Sequence, residues 1–375
     1  MSERKIGVTG IGIACSIGIG KNNFWDAIKD GYQDRQADNE VFPGTDFKNK
    51  WFYNTYINGQ KPTIEELAIT ACHEAIIDSG LDIESEKSVG LYLGCAVGNI
   101  YKVENQLKRG CHDTVDPFGF FINKLANNLL VNNIAFSTTA CVSGITSLIR
   151  AIADIKLKKI KRAIVCGVDS FSFTAMACFN EAGVLGIQQA KPFGSESKGL
   201  IGGSGAGVLV VEEVTDSNQY YCEIKSSSFR NDTYSLISSS PDGSSMAECI
   251  KKTLEIGYIL PDEVNVIISN ATGMPISDNM EFQALKKIFG ESLYDKKIIN
   301  IKSQCGHTYG ASGLISAITG ILSNKNNSII PIDIYPISKE FSKLDIYGGE
   351  YPKGGYTLGL SYASGGPNCT FSFKF

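Results

Sequence analysis

The sequence predicts an α/β fold assembled from two related α/β halves. Three observations predict it. Strand-length apolar runs alternate with amphipathic helix-length runs along the chain, and after a polar joint at residues 215–219 that alternation starts afresh. In addition, a glycine-dense bend at 199–207 runs straight into the apolar stretch 208–212. The halves are drawn at 1–214 and 219–375, with residue-level self-similarity too faint to count as a repeat.

Taken in order, residues 5–9 read as a strand, 10–20 as a glycine-rich turn and about 22–29 as an amphipathic helix. That is the setting of a dinucleotide site. Gly10-x-Gly12 is followed at the third position by Cys15, however, and no acidic residue closes a clean second strand, so no nucleotide is expected. Residues 32–61 are polar, aromatic and irregular, the composition of a surface loop. A helix over Ile64–Ser79 and a buried strand over 89–95 follow, and the polar segment 98–125, punctuated by aromatics, reads as a lid or partner-facing stretch. Strand 135–139, helix 143–155 and strand 162–167 form a βαβ unit around Cys141. The second half reads as strand 222–226, helix 246–257, strand 264–269, helix 279–289, strand 297–300 and helix 310–322. A hairpin-like pair, 329–334 with 357–362, closes it.

With 375 residues, 43% of them hydrophobic, the chain can bury a large core. Charged residues make up 20%, the formal net charge is −4 and no Lys/Arg block stands out, so nucleic acid is not an expected partner. Eleven cysteines without a repeated Cys-x-x-Cys spacing, and no leader-like start, point to free thiols in a reducing cytoplasm. No stretch approaches the roughly 20 uninterrupted apolar residues of a membrane-spanning helix.

A cysteine is a nucleophile as its thiolate, and a helix N-terminus favours that form through unpaired N–H groups and the positive end of the dipole. Cys141 follows a strand and precedes a helix, and Ser143-Gly144 keeps the first turn small enough for a ligand to approach. The chain has three histidines. His73 reads as a helix-surface residue, and Cys111-His112 is a metal-ligating pair without further spaced ligands, so no metal is expected. His307, between a strand end and a helix start rich in small residues, sits where an imidazole can face a cavity.

These segments resemble a family. Thr139-Ala-Cys-Val-Ser-Gly144 looks like the nucleophile motif of the β-ketoacyl-acyl carrier protein synthases, and Lys302-Ser-x-x-Gly-His307 with Gly310-Ala-Ser-Gly313 resembles their lysine-histidine motif. The resemblance extends through Val8-Thr-Gly-Ile-Gly12, Lys191-Pro-Phe193, the Gly202 to Gly207 turn, Thr272-Gly-x-Pro275 with Asp278 and Glu281, and Ser361-x-x-x-Gly-Gly-x-Asn368. It implies a thiolase-like fold of five αβαβα layers, usually a homodimer. No cofactor is implied; acyl groups arrive on the phosphopantetheine of an acyl carrier protein or on coenzyme A. Carried over residue by residue, Cys141 takes the acyl group, and its backbone N–H with that of Ser364 forms the oxyanion hole. His307 holds the thioester carbonyl of a malonyl extender while carbon dioxide leaves, Lys302 is oriented by an ion pair with Glu281, and Asp278 and Thr272 support the site. The implied reaction is acyl transfer followed by a decarboxylating Claisen condensation, in a specialised fatty acid or polyketide pathway.

Two departures bear on that reading. Where the family has His-Gly-Thr-Gly-Thr-Pro this chain has Asn270-Ala-Thr-Gly-Met-Pro275, so the second imidazole is replaced by an amide that donates a hydrogen bond but cannot shuttle a proton. The family's gating phenylalanine is replaced by Ser364, and two acidic positions of its glycine-rich turn read Gly194 and Ser204. Two alternatives stand beside condensation: an acyltransferase using Cys141 alone, and a chain-length-type partner in a heterodimeric ketosynthase.

Overall fold

Ten strands form one continuous sheet, and their order is a repeat that the residues themselves hide. The computed structural model describes residues 4–29, 51–111 and 116–375, apart from 188, 216, 236–238 and 333–334. The first half runs β1 (Lys5–Cys15), α1 (Lys21–Lys29), β2 (Phe52–Tyr53), α2 (Ile64–Ser79), β3 (Val89–Gly94), α3 (Ile100–Lys108) and α4 (Gly119–Leu129). It continues with β4 (Asn133–Ser137), α5 (Ser143–Lys156), β5 (Arg162–Asp169), α6 (Phe173–Glu181), β6 (Gly202–Gly203) and β7 (Gly205–Val214). The second half runs β8 (Cys222–Asn231), α7 (Ser244–Gly257), β9 (Val264–Ile268), α8 (Pro275–Phe289) and β10 (Lys297–Ile299). The four-residue α9 (Lys302–Cys305), α10 (Ser312–Lys325), β11 (Tyr356–Tyr362) and β12 (Pro367–Lys374) complete it.

The sheet order is β10-β9-β11-β12-β8-β1-β7-β5-β3-β4. Divided between β8 and β1, each side reads third, second, fourth, fifth, first strand along its own stretch of chain. In both, three parallel strands are followed by two antiparallel ones. The sides are joined by a short pairing, Gly7 opposite Glu223 and Val8 opposite Cys222. Helices fall in matching places: α2, α4 and α5 follow the first three of these strands in one half, as α7, α8 and α10 do in the other.

Packing turns this order into layers. α5 and α10 pack against each other and each touches strands of both halves, so they form the middle layer. α10 is buried on every face from Ser312 to Ser323, as a helix between two sheets must be. α2 lies outside β1 and β7 with α4 beside it, and α7 lies outside β8 and β12 with α8 beside it. This is the five-layered arrangement that the resemblance implies. α2 begins where the sequence sets a capping box, Thr63 Oγ1 accepting from Glu66 N (3.2 Å) and Glu66 Oε2 from Thr63 N (2.8 Å). It ends at Gly80 in the left-handed region.

Three expectations are corrected, and the segment 98–125 is given its elements. Residues 10–15 are not a turn: β1 runs to Cys15. Its glycines serve a close approach instead, since a Cβ on Gly10 or Gly12 would run into the carbonyls of Ala75 and Ala71 on α2. In 32–61, the part to residue 50 lies outside the described residues, but Phe52 and Tyr53 are core, pairing with Gly202 and Gly203. Segment 98–125 contains α3 and most of α4, and Glu104 on α3 caps α6 by accepting from Ser172 Oγ (2.8 Å) and Thr174 N (2.8 Å). The closing hairpin is β11 with β12, Thr357 opposite Phe373. Ile329 instead makes an isolated bridge to Gly349.

Candidate active site

The segments that follow β3, β5, β9, β10 and β11 meet, Asp169 accepting from Cys95 and Gly310, and Asn270 accepting from Lys302 while donating to Tyr362; open α/β sheets place their ligand sites at such strand ends. Cys141 lies in the turn from β4 to α5. Ala140 before it is left-handed (φ 52°), a strained conformation for a residue with a Cβ. Thr139 N donates to Ser143 Oγ (2.9 Å) and Ser143 Oγ to Ala140 O (2.5 Å), fixing Cys141 two residues ahead of the helix. The small first turn expected from the sequence is required: a Cβ on Gly144 would stand 2.6 Å from Gly310 O, the backbone of the other half.

The matching turn of the second half, from β10 to α10, carries Lys302 and His307. His307 is held by its backbone, N donating to Ile201 O (2.7 Å) and O accepting from Gly203 N (2.9 Å). Its ring is buried, its Nδ1 has no hydrogen-bond partner, and burial, helped by the Lys302 charge, lowers its pKa to about 3. The imidazole is therefore neutral at physiological pH.

Lys302 and Glu281 are both buried, but the expected ion pair between them is not formed among the described residues. Both act on Asn270 instead. Lys302 Nζ donates to Asn270 Oδ1 (2.9 Å), Glu281 Oε2 accepts from Asn270 N (3.1 Å), and Asn270 Nδ2 donates to Tyr362 O (3.3 Å). Burial lowers the Lys302 pKa to about 8, opposed by the more distant Glu281 charge, and burial raises that of Glu281. Asp278, raised to about 7 by burial, ties the loop after β9 to the segment before β6: it accepts from Thr272 N (2.9 Å), Gly273 N (3.2 Å) and Phe193 N (2.8 Å). Thr272 Oγ1 is buried without a partner. Ser364 is exposed in the β11–β12 turn, which Gly366 O fastens by accepting from Asp232 N (2.7 Å).

The thiolate expectation for Cys141 is corrected. Dense packing around the sulfur, and after it the charge of Asp169, push the thiol up to about 12, with Lys302 and the residue's own N–H opposing. Cys141 therefore rests as a neutral thiol. Asp169 is the residue that the sequence reading missed. Fully buried at the end of β5, it accepts from Ala96 N (2.8 Å), Val97 N (2.9 Å), Cys95 Sγ (3.0 Å) and Gly310 N (2.7 Å). It thus ties the loop after β3 to the turn after His307. Its one signal was an acid closing the apolar run of β5.

His73 is exposed on α2, and His112 lies outside the described residues. Among the described residues no His, Cys, Asp and Glu side chains cluster as a metal site, and no helix is long and apolar enough to cross a membrane.

Residues 63–217 match the model of the β-ketoacyl synthase N-terminal domain, and 221–333 that of the C-terminal domain. The 3-oxoacyl-[acyl-carrier-protein] synthase 2 of Staphylococcus aureus is 26% identical over 82% of this chain and 83% of its own. That of Vibrio harveyi is also 26% identical, over 100% of this chain and 99% of its own. Among solved structures, a type II PKS ketosynthase in complex with its acyl-carrier protein shares the fold with a TM-score of 0.88 at 21% identity, covering 99% of each chain. A chain of the complex between the ketosynthase and its chain length factor from Xenorhabdus doucetiae superimposes with a TM-score of 0.84 at 18% identity, over 99% of this chain and 98% of that one.

Proposed function

The chain belongs to the β-ketoacyl synthase family of condensing enzymes, and from that premise we propose that Cys141 carries an acyl group which His307 and Asn270 help to condense with a malonyl thioester. The observation that carries this reading is the convergence at matching strand ends of both halves: Cys141 ahead of α5, Lys302 and His307 ahead of α10, and Asn270 held between Lys302 and Glu281.

In the first step the Cys141 sulfur attacks the carbonyl of an acyl thioester, and its proton leaves with the departing pantetheine thiol. The backbone N–H groups of Cys141 and Ser364 take the developing oxyanion. In the second step a malonyl thioester loses carbon dioxide. Neutral His307, together with the Asn270 amide, hydrogen-bonds the enolate oxygen, and the enolate carbon attacks the Cys141 thioester, expelling the Cys141 thiolate, which takes up a proton from solvent, and releasing a β-ketoacyl thioester. Lys302 polarises the Asn270 amide through Oδ1, which compensates in part for the missing imidazole. Thr272 and Asp278 hold the loop, and the chemistry needs no metal or resident cofactor.

The donor in this reading is an acyl carrier protein, and the assembly is a homodimer or a pair with another ketosynthase subunit, in the cytoplasm. The halves 1–214 and 219–375 act as two structural units sharing one site. A purely chain-length-type partner needs none of Cys141, Lys302, Glu281 and His307, and their joint presence favours an enzyme. Acyl transfer without condensation is the second reading, favoured by the amide at Asn270.

The test is to incubate the protein with acyl-loaded carrier protein, with and without malonyl carrier protein, and to follow intact masses. An acyl adduct on Cys141 that converts to β-ketoacyl product with release of carbon dioxide is expected. An adduct that never converts supports transfer alone; no adduct sinks both enzymatic readings.

A further inference from the structure

We propose that Tyr309 sets the length of the acyl group Cys141 can carry, restricting it to short chains by closing the apolar wall against which Cys141 rests. This rests on the acylation reading above. The charged groups that act on Cys141 are Asp169 and Lys302, the latter bonded to Asn270, so a growing hydrocarbon has to follow apolar surface.

Two apolar clusters touch Cys141. One is the close-packed interior around α5 and α10. The other is a small cluster of Phe52, Met176, Leu185, Leu200 and Tyr309, rimmed by half-buried side chains such as Phe171 and Phe179. The second is the only one of the two that a chain can enter without prising the middle layer apart.

Tyr309 occupies that entrance. Its ring is 1% exposed and stacks on Phe179 with centroids 5.7 Å apart and planes 2° off parallel. The His307 ring meets it edge-on at 5.5 Å, and a Cβ on Gly202 would run into its phenol oxygen, so the ring is enclosed on several sides. Its hydroxyl donates to Met176 Sδ (3.3 Å), a weak acceptor and a poor return for burying a phenol. Its backbone is left-handed (φ 48°), a cost that a bulky residue sustains only where the surroundings impose it. Strain and a weakly satisfied hydroxyl together indicate a residue kept for its shape.

The experiment uses the full chain with acetyl-, butyryl-, octanoyl- and dodecanoyl-coenzyme A, reading the Cys141 adduct by intact and peptide mass over time. The wild type is expected to accept butyryl at least about tenfold faster than octanoyl. Tyr309→Ala should raise octanoyl acylation relative to butyryl acylation about tenfold or more. Tyr309→Phe keeps the ring and should retain wild-type selectivity. Phe179→Ala opens the stack from its other side and should relax selectivity in the same direction, even where Tyr309→Ala does not fold. Equal octanoyl and butyryl rates in the wild type, or unchanged selectivity in folded Tyr309→Ala or Phe179→Ala protein, overturns the proposal. Absence of any adduct from every donor overturns the acylation reading, and this one with it.

Discussion

Replacing Asp169 with Asn changes one atom and tests both the packing and the electrostatics of the site. Oδ2 accepts from Ala96 N and Gly310 N at 2.8 and 2.7 Å, and Oδ1 from Val97 N and Cys95 Sγ at 2.9 and 3.0 Å. An amide keeps one oxygen, so one pair of donors faces an NH2 group. Each buried donor left unpaired costs roughly 1–3 kcal/mol, which puts the loss at about 2–6 kcal/mol. That is a large share of a typical domain's stability of about 5–15 kcal/mol, so the variant is expected to be folded but weakened. The same change removes the negative charge that helps to hold the Cys141 thiol up near 12. Removing an anion beside an acid lowers its pKa, so the thiolate fraction at pH 8 rises, and alkylation of Cys141 by iodoacetamide should accelerate about tenfold for each unit of that fall. The assay pairs denaturant unfolding with a pH series of alkylation rates mapped to Cys141 by mass. A folded Asp169→Asn protein with the wild-type alkylation profile refutes the electrostatic argument, and one with undiminished stability refutes the hydrogen-bond argument.

Other expectations follow from the same geometry. Lys302→Met removes a buried ammonium whose side-chain partner among the described residues is the Asn270 amide at 2.9 Å, but it leaves Asn270 Oδ1 without that donor, so stability should fall by no more than about 1–3 kcal/mol while condensation falls by about one to two orders of magnitude; a larger loss of stability would count against that account. Asn270→His should raise malonyl decarboxylation, measured as carbon dioxide release, and no change would show that the second imidazole is not what limits the step. For His307 the folded pKa, about 3, lies below the unfolded value of about 6.5, so the unfolded state binds the extra proton on acidification. The stability that His307 contributes is complete above about pH 6.5 and is lost as pH falls toward 3, by at most about 1.4 kcal/mol per pH unit. The wild type should therefore lose stability relative to His307→Asn across that window, and parallel pH curves would contradict the assignment. Gly12→Ala drives a Cβ into the Ala71 carbonyl on α2 and should cost about 1–3 kcal/mol or more, read as a lowered denaturation midpoint; a neutral outcome would mean that α2 can withdraw from β1.

The elements that were legible are those whose signal is local. The helix over Ile64–Ser79 is bounded by its own capping residues, Thr63 with Glu66 at one end and Gly80 at the other. The strand, nucleophile and helix around Cys141 are contiguous, and period and residue type suffice. What misled was local composition whose cause lies elsewhere in the chain. Gly10 and Gly12 look like a turn because glycine is common in turns, yet they stand in a strand because α2 approaches their Cα atoms. Phe52 and Tyr53 look like loop aromatics until β6 pairs with them.

The site divides in the same way. Cys141 and His307 are readable as candidates from residue type and flanking small residues, whereas Asn270, Glu281 and Lys302 become candidates through the family resemblance, whose motifs are short segments. Which of them touch was settled by folding. Lys302 reaches Asn270 rather than Glu281, Asp169 arrives from β5 to stand behind Cys141, and the thiol that a helix N-terminus alone would favour as thiolate is held neutral. Burial and through-space charge sum over groups drawn from both halves of the chain, and no periodicity or spacing in one segment records that sum. The catalytic alphabet is therefore written along the chain, while its charge states and hydrogen-bond partners exist only once α5 and α10 lie between the two halves of the sheet.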